Sequence, residues 1–429
     1  MKKSIGLLLA AFLAIKCGFA FDSPYFKGYA GFMGDLTSDP SKDHISSKLF
    51  PQGYFGGQLD LGEKLIIRSE FLVQGFCKNL NTDLLGDDVF ASPIKENSVF
   101  RIQELSALYR FNLIGLTHYF SAFMGEYEPI GSDIFLQRHL GIKKFNSRLT
   151  ESWHGLNGAS INRPYSGGLS YTLHLDAPFV AGISFYRDFY QNEQEKVYNA
   201  DIRLAGSLPL FTFDASLGLG IPRNSRKVSE KKYLLAAQYL VFRAGFSLLI
   251  GSPSDQTTFF IQGGFSNLII DPDAKKTIKF GDANGFSLLF EPRIELRKMN
   301  LSFSVFSLNS DNVNSGMYTY LLDALGFDIH ISTNQFHLGS SNFTLGLHTT
   351  FGLNYKDSSQ GNLTFKSALD NWDDASDWEV NFYLSPYAEI PIQGGEVASS
   401  FTFRLNRLFE FEENWASNVH FRFGFRSEF

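Results

Sequence analysis

Cysteine is nearly absent from this chain, which has two in 429 residues, Cys17 and Cys77. Cys17 lies in an N-terminal segment that we expect to be removed, so one cysteine remains and an intramolecular disulfide is excluded. Cysteine and histidine do not cluster at the spacing of a zinc site, and no glycine-rich phosphate loop leads from a strand into a helix. The sequence therefore indicates no metal and no cofactor, and non-covalent interactions must hold the fold together.

Long hydrophobic runs are also missing, although 44% of the residues are hydrophobic and phenylalanine alone counts 45. Beyond residue 20, no stretch reaches the ~18 consecutive apolar residues that a membrane-spanning helix needs. Charge is scarce too, because 19% of the residues are charged, against about 25% in an ordinary soluble domain. The net charge of −6 comes without a long run of one sign, which argues against a nucleic-acid surface and a disordered tail.

The N-terminus has the pattern of a secretory signal peptide. Lys2 and Lys3 precede an apolar run over residues 5–15, and a small-residue exit ends at Ala20. We therefore predict a signal peptide over residues 1–20, followed by one domain over residues 21–429.

Residues 417–429 alternate between two kinds of side chain. The apolar side chains are at odd positions: Val419, Phe421, Phe423, Phe425 and Phe429. The polar or small residues are at even positions: His420, Arg422, Gly424, Arg426 and Glu428. Because successive side chains of a strand point to opposite faces, this pattern predicts a strand with one face in lipid and the other in water.

A chain that ends on Phe429 in such a strand resembles bacterial outer-membrane β-barrel proteins. In that family the barrel-insertion machinery reads the terminal aromatic strand, so the resemblance implies that Phe429 is an insertion signal and that this machinery is a partner. It also implies export through the periplasm to the outer membrane, whose lipid would surround the barrel.

Short two-faced segments recur from residue 26 onward, and the gaps between them alternate between short and long. Residues 54–61 and 65–76, for example, flank a tight turn, and a long polar stretch follows over residues 78–98. Each short gap predicts a hairpin. The series predicts an all-β fold, a transmembrane antiparallel β-barrel of about eighteen strands, or sixteen if the first is absent or two merge. An even number places both termini and the short turns in the periplasm and the long loops outside.

Parity within the strands identifies the side chains that we expect to face the lumen. The predicted pore-lining residues are Arg68, Glu70, Arg101, Arg203, Arg243, Glu291, Arg293, Glu295, Arg297, Arg404, Arg422 and Arg426. For any one of them, pairing with a charge on a neighbouring strand is the alternative to contact with a solute. The parity switches once, at residues 101–105, which predicts a β-bulge.

The longest excursion, residues 128–167, is the third long loop. General porins fold a loop inward at this position, so the resemblance implies a constriction loop here, and a loop that caps the barrel from outside is the alternative. The side chains expected to project charge into the lumen are Asp133, Arg138, His139, Lys143 and Lys144. The positive charges of this set outnumber the negative one, which favours anions in the channel.

Two arrangements were weighed as catalytic sites. Asp328 and His330 share one face of a strand, as an outer-membrane protease would need, but such pairs are common in polar walls. Ser170 and His174 are four residues apart, about 13 Å along a strand, which is too far for a hydrogen bond. We therefore predict no enzymatic activity.

The leading interpretation is a channel for passive diffusion of small hydrophilic solutes, because a barrel of this size has a lumen wider than its side chains fill. One alternative is a transporter of hydrophobic compounds similar to the long-chain fatty-acid channels, which plug the lumen with an N-terminal hatch. Another is a surface-exposed adhesin or structural barrel. The oligomeric state is left open by the sequence.

Overall fold

The structure is a computed structural model. It describes residues 25–38, 47–62, 64–75, 99–142, 145–153, 155, 161–175, 178–189, 196–223, 240–252, 255–270, 278–280, 286–308, 316–333, 336–338, 341–356, 363–370, 376–408 and 418–429. The predicted signal peptide lies outside these residues, as do Lys143 and Lys144.

Antiparallel strands make up most of the described chain. They are β1 (Tyr25–Ser38), β2 (Ser47–Leu61), β3 (Leu65–Gln74), β4 (Val99–Leu113), β5 (Leu116–Gly125), β6 (Ser166–His174), β7 (Phe179–Asp188), β8 (Lys196–Leu208), β9 (Phe211–Arg223), β10 (Leu240–Ile250), β11 (Thr257–Ile270), β12 (Ile278–Phe280), β13 (Phe286–Glu295), β14 (Met299–Ser307), β15 (Leu325–Thr333), β16 (Phe336–Leu338), β17 (Ser341–Tyr355), β18 (Trp378–Ile392), β19 (Gly395–Arg404) and β20 (Val419–Glu428). Three short helices accompany them: α1 (Ile134–Leu140), α2 (Phe365–Asp370) and α3 (Leu405–Leu408).

The strands form one closed sheet. Each long strand pairs with its neighbour in sequence, and β1 pairs with β20 from Tyr29 opposite Glu428 to Leu36 opposite Phe421. The three-residue strands β12 and β16 pair with β11 and β17 and extend the hairpins of β13 and β15. The wall therefore has eighteen strand positions, which confirms the predicted barrel.

The two ends of the barrel differ. One end holds the tight turns, such as the turn at Ile114 and Gly115 and the turn that contains Gly394. Gly115 and Gly394 adopt φ angles of 79° and 73°, a left-handed conformation that glycine accepts without steric cost. The other end holds the long connections, including residues 126–165 and 308–324. We call these ends the short-turn end and the long-loop end.

Polarity is inverted relative to a soluble protein. On β15, Phe327, Ile329 and Ile331 point outward and are 40%, 41% and 42% exposed, whereas Asp328 and His330 point inward and are 0% and 5% exposed. An outer surface of large apolar side chains is stable only against an apolar solvent. The closed sheet leaves no unpaired edge in that solvent, so the chain forms a transmembrane barrel.

No helix in the described part of the chain is long and apolar enough to span a bilayer.

The structure confirms one detail of the strand prediction and corrects another. The register of β3 against β4 shifts between Glu70 and Phe71, opposite Glu104 and Ile102, which confirms the predicted bulge. The alternating pattern of the sequence also predicts a strand over residues 317–332, but in the structure that strand begins only at Leu325. Residues 316–324 instead pack inside the barrel, where their apolar side chains find partners other than lipid.

Candidate functional site

The candidate site is the lumen, and its wall is rich in ion pairs. On the β8 to β13 side, Arg203 bonds Asp214 with its Nε at 2.7 Å. Arg243 contacts Asp201 at 2.8 Å. These side chains were expected to line a pore. The structure places both arginines on the inner face, almost entirely buried. Arg203 pairs with a carboxylate on the adjacent strand β9, and Arg243 on β10 pairs with one on β8, two strands away.

Arginines near the seam between β20 and β1 follow the same rule. The Arg422 guanidinium contacts Asp35 at 2.9 Å, and Arg426 contacts Glu396 at 2.6 Å. Arg404 lies near the long-loop end, 3.2 Å from Glu379. Pairing across neighbouring strands therefore neutralises much of the charge that parity alone assigned to the lumen.

The remaining predicted lining residues lie on β3, on β4, on β13 and in the turn after β13. Arg68 bonds Gln58 at 2.8 Å, and the carboxylate of Glu70 accepts from the Tyr29 hydroxyl. Arg101 pairs with Glu126 at the start of the longest loop. A further group lies on β13 and in the turn after it: Glu291 pairs with Arg293 at 2.6 Å, and Glu295 and Arg297 are exposed at the short-turn end.

Residues 126–165, which we call loop 3, connect β5 to β6 and contain α1. The buried side chains Ile134, Phe135 and Leu136 lie on this helix. Phe135 and Leu136 belong to an apolar cluster with wall residues such as Val180 and Phe260. The helix ends at Gly141, whose left-handed backbone (φ 65°) lets its N–H bond the Gln137 carbonyl at 3.1 Å.

Asp133, Arg138 and His139 of loop 3 are held by protein partners, whereas the sequence predicted that they project into open lumen. Asp133 is 2% exposed, and its carboxylate accepts the backbone N–H groups of Phe145 and Asn146 at 2.7 and 2.9 Å. Arg138 is held by Glu104 at 2.5 Å and lies 3.7 Å from Glu128. The net positive charge inferred from the sequence is therefore offset at Arg138.

His139 forms a buried polar group with Glu128 and His174. Its Nε2 lies 3.2 Å from the Glu128 carboxylate, and its Nδ1 lies 3.3 Å from the Nε2 of His174. Burial alone would raise the pKa of Glu128, but His139 and the guanidinium groups of Arg138 and Arg203 lower it to about 2. The carboxylate is thus charged, and it fixes the start of loop 3.

Loop 3 contacts distant parts of the wall. Arg203 on β8 donates to the Glu128 carbonyl at 2.7 Å. Gln262 on β11 donates to the Gly131 carbonyl at 2.6 Å, and Arg293 on β13 donates to the Phe145 carbonyl at 2.8 Å.

The end of loop 3 reaches β18 and β20. Arg148 contacts Glu389 on β18 at 2.7 Å. Trp153 is 1% exposed and packs over Gly424 on β20, where an added Cβ would lie 2.4 Å from its Nε1.

A second stretch, residues 316–324, joins loop 3 inside the barrel, and sequence reasoning missed it. We call it the inner segment. Arg148 donates to the Tyr318 hydroxyl at 3.0 Å, and the Thr319 hydroxyl donates to the Leu149 carbonyl at 3.1 Å. The wall holds the segment through Arg422, which bonds the Thr319 carbonyl at 2.9 Å and also the Gly316 carbonyl. The inner segment is visible in the sequence as a group of apolar residues, but the alternating pattern placed this group in the strand predicted over residues 317–332.

Open space remains at the short-turn end, in three cavities of about 490, 440 and 660 Å³. The first two share Asn146, Arg148 and Glu389 among their lining residues, and the last two share Glu396 and Arg426. We call these adjoining cavities the vestibule. Most of its lining is charged, amide or hydroxyl groups, so it suits water and hydrophilic solutes.

The two residues weighed as a protease pair do not bond each other. Asp328 accepts from His348 at 2.8 Å and from Thr350 at 2.6 Å. The His330 ring instead lies 2.8 Å from the Tyr387 hydroxyl. Among the residues that the structure describes, no three histidine, cysteine or acidic side chains come together as a metal site.

No protein-family model matches the chain, and no curated protein matches its sequence. In structure, it is similar to Salmonella typhi OmpF in complex with daunomycin, at 9% identity and a TM-score of 0.40, over 95% of this chain and 97% of that one. It is also similar to a mutant of the Rh. blastica porin, at 9% identity and 0.39, over 95% and 100% of the two chains. A third similar structure is Pseudomonas aeruginosa OpdK with vanillate, at 8% identity and 0.48, over 94% and 98%. The assignment of a transmembrane barrel rests on this chain's own strand pairing and faces.

Proposed function

We propose that this chain is a bacterial outer-membrane channel through which small hydrophilic solutes diffuse passively. The observation that carries the proposal is the vestibule: polar cavities of hundreds of Å³ inside a barrel whose outer surface is apolar. Such a lumen stays wet while its wall lies in lipid.

Loop 3 is the proposed constriction. Loop 3 contacts strands from β8 to β20 and packs against the inner segment. The vestibule lies on the short-turn side of loop 3. Solutes would then pass between loop 3 and the wall, and the width of that passage would set the size limit.

A transporter of hydrophobic compounds has less support. In the fatty-acid channels an N-terminal hatch fills the lumen, whereas here loop 3 and the inner segment pack inside the barrel. The vestibule also offers charged groups such as Arg148 and Glu389 where a hydrophobic solute would need apolar contacts.

Conductance of the purified protein in a planar bilayer tests the proposal. The parent should give discrete conductance steps, and a variant that lacks residues 134–144 should give larger ones. This deletion is geometrically mild because Asp133 already contacts the backbone of Phe145 and Asn146. As a control, Asp255→Asn changes one side chain in a short turn that lines none of the three cavities, so its conductance should stay near the parent's.

If neither the parent nor the deletion variant conducts in a lipid bilayer, the channel proposal is refuted and the adhesin or structural barrel remains as the interpretation. A silent parent with a conducting deletion variant would instead mean that loop 3 closes the lumen at rest.

A further inference from the structure

We propose that the vestibule selects for cations, and that Glu295 and Glu428 determine this selectivity; the inference rests on the proposed channel function. Among the described residues, the acidic and basic side chains that line the three cavities are three arginines, six glutamates and one histidine: Arg148, Arg293, Arg426, Glu151, Glu291, Glu295, Glu389, Glu396, Glu428 and His330. With the histidine neutral, this lining carries a net charge of −3.

The arginines of the vestibule are compensated. Arg293 lies 2.6 Å from Glu291, and Arg426 lies 2.6 Å from Glu396. Arg148 lies 2.7 Å from Glu389 on the wall and 3.1 Å from Glu151 on its own loop. A guanidinium that already bonds carboxylates has little positive potential left for a passing anion.

The excess negative charge lies at the mouth. Glu295 is the last residue of β13 and Glu428 the last of β20, so both are at the short-turn end. Both are exposed and line the vestibule. Within the described ranges, neither makes an ion pair. Unpaired carboxylates on low-dielectric walls concentrate cations and repel anions.

In the described part of the chain, no further cation lines the three cavities, not even Lys298 in the turn after Glu295. Arg138, on the other side of loop 3, is bound to Glu104 at 2.5 Å. Arg297 and Lys27 lie toward the same end of the barrel but line none of the three cavities. The selectivity is therefore the reverse of the anion preference that the loop 3 sequence favoured.

Reversal potentials in a potassium chloride gradient test the proposal. Near 0.1 M salt, where the Debye length is about 10 Å, the parent should pass potassium over chloride by on the order of threefold or more. Glu295→Gln and Glu428→Gln should each lower this ratio, and the double variant should bring it close to one. At about 1 M salt, where the Debye length is ~3 Å, all variants should converge.

The control is Asp255→Asn. It removes one negative charge in the turn between β10 and β11, at the same end of the barrel, from a residue that does not line the vestibule. Its permeability ratio should equal the parent's.

A conducting parent that is unselective or prefers chloride would overturn this inference alone, as would a double variant as selective as the parent. Absence of conductance in every variant would refute the channel, and this inference with it.

Discussion

Replacing Arg422 by methionine should destabilise the barrel and release the inner segment. The guanidinium bonds Asp35 through Nε at 3.0 Å and Nη2 at 2.9 Å. Nη1 bonds the Gly316 and Thr319 carbonyls, and the Tyr320 ring lies 4.8 Å away. Arg422→Met keeps much of the side-chain volume and removes every one of these donors.

The magnitude follows from burial. Arg422 is 3% exposed and Asp35 is 9% exposed, so the variant leaves a carboxylate almost without water or a partner. Breaking one side of a buried ion pair costs about 3–5 kcal/mol, and the slight exposure of Asp35 favours the lower end. The matched, more exposed case is Arg407→Met, because the Arg407 and Glu379 side chains are 27% and 19% exposed and Glu379 keeps Arg404 at 3.2 Å. Such pairs contribute about 0–1 kcal/mol.

Urea unfolding of the refolded barrel in detergent measures both changes. Adding Asp35→Asn to Arg422→Met removes the stranded charge, so the double variant should recover roughly 2 kcal/mol relative to additivity. The single-channel current of Arg422→Met should also become noisier, because the Thr319 carbonyl loses its anchor. Equal losses for Arg422→Met and Arg407→Met, or strict additivity with Asp35→Asn, would refute the anchoring role.

Three further predictions concern insertion, lipid and pH. Deleting Phe429, or changing it to lysine, should strand the protein in the periplasm; normal outer-membrane levels on a fractionation blot would count against the insertion signal. Phe423 lies on the outer face beside Phe32, so Phe423→Arg should cost about 2–4 kcal/mol near the bilayer midplane, measured by urea unfolding against Phe423→Leu. The pKa of Glu128 is lowered from 4.5 to about 2, so its stabilisation is fully present above pH ~4.5 and lost as the pH falls towards 2. Unfolding midpoints of the parent and Glu128→Gln should thus differ by a constant amount between pH 7 and 5 and converge below pH 4; a constant difference down to pH 2 would contradict this role.

The strands were predictable because a wall between two solvents forces alternation of period two. On β20, the outward positions Phe421, Phe423 and Phe425 alternate with inward Arg422, and a slip of one residue would place arginine in lipid. The same constraint revealed the bulge on β4, where one extra residue lets the apolar side chains beyond it face lipid again.

The interior of the lumen was less predictable because it depends on contacts between distant residues. Arg138 and Glu104 are 34 positions apart in sequence, and parity cannot indicate that they meet. The inner segment was misread for a related reason. Met317 and Tyr318 are 0% exposed, but an apolar stretch beside a strand has the same sequence pattern whether it faces lipid or packs inside a lumen.

Three inward arginines bond the wall and the inner loops at the same time. Arg203, Arg293 and Arg422 each pair with a wall carboxylate and direct another N–H group to a carbonyl of loop 3 or the inner segment. A guanidinium has five donors in a fixed plane, so it can satisfy a carboxylate and a carbonyl together. A lysine ammonium is a compact, strongly hydrated charge without that fixed fork. These three arginines, assigned from sequence to a charged pore lining, therefore also hold loop 3 and the inner segment inside the barrel. In the proposed cation-selective vestibule, the net charge that a solute meets comes from carboxylates that have no arginine partner.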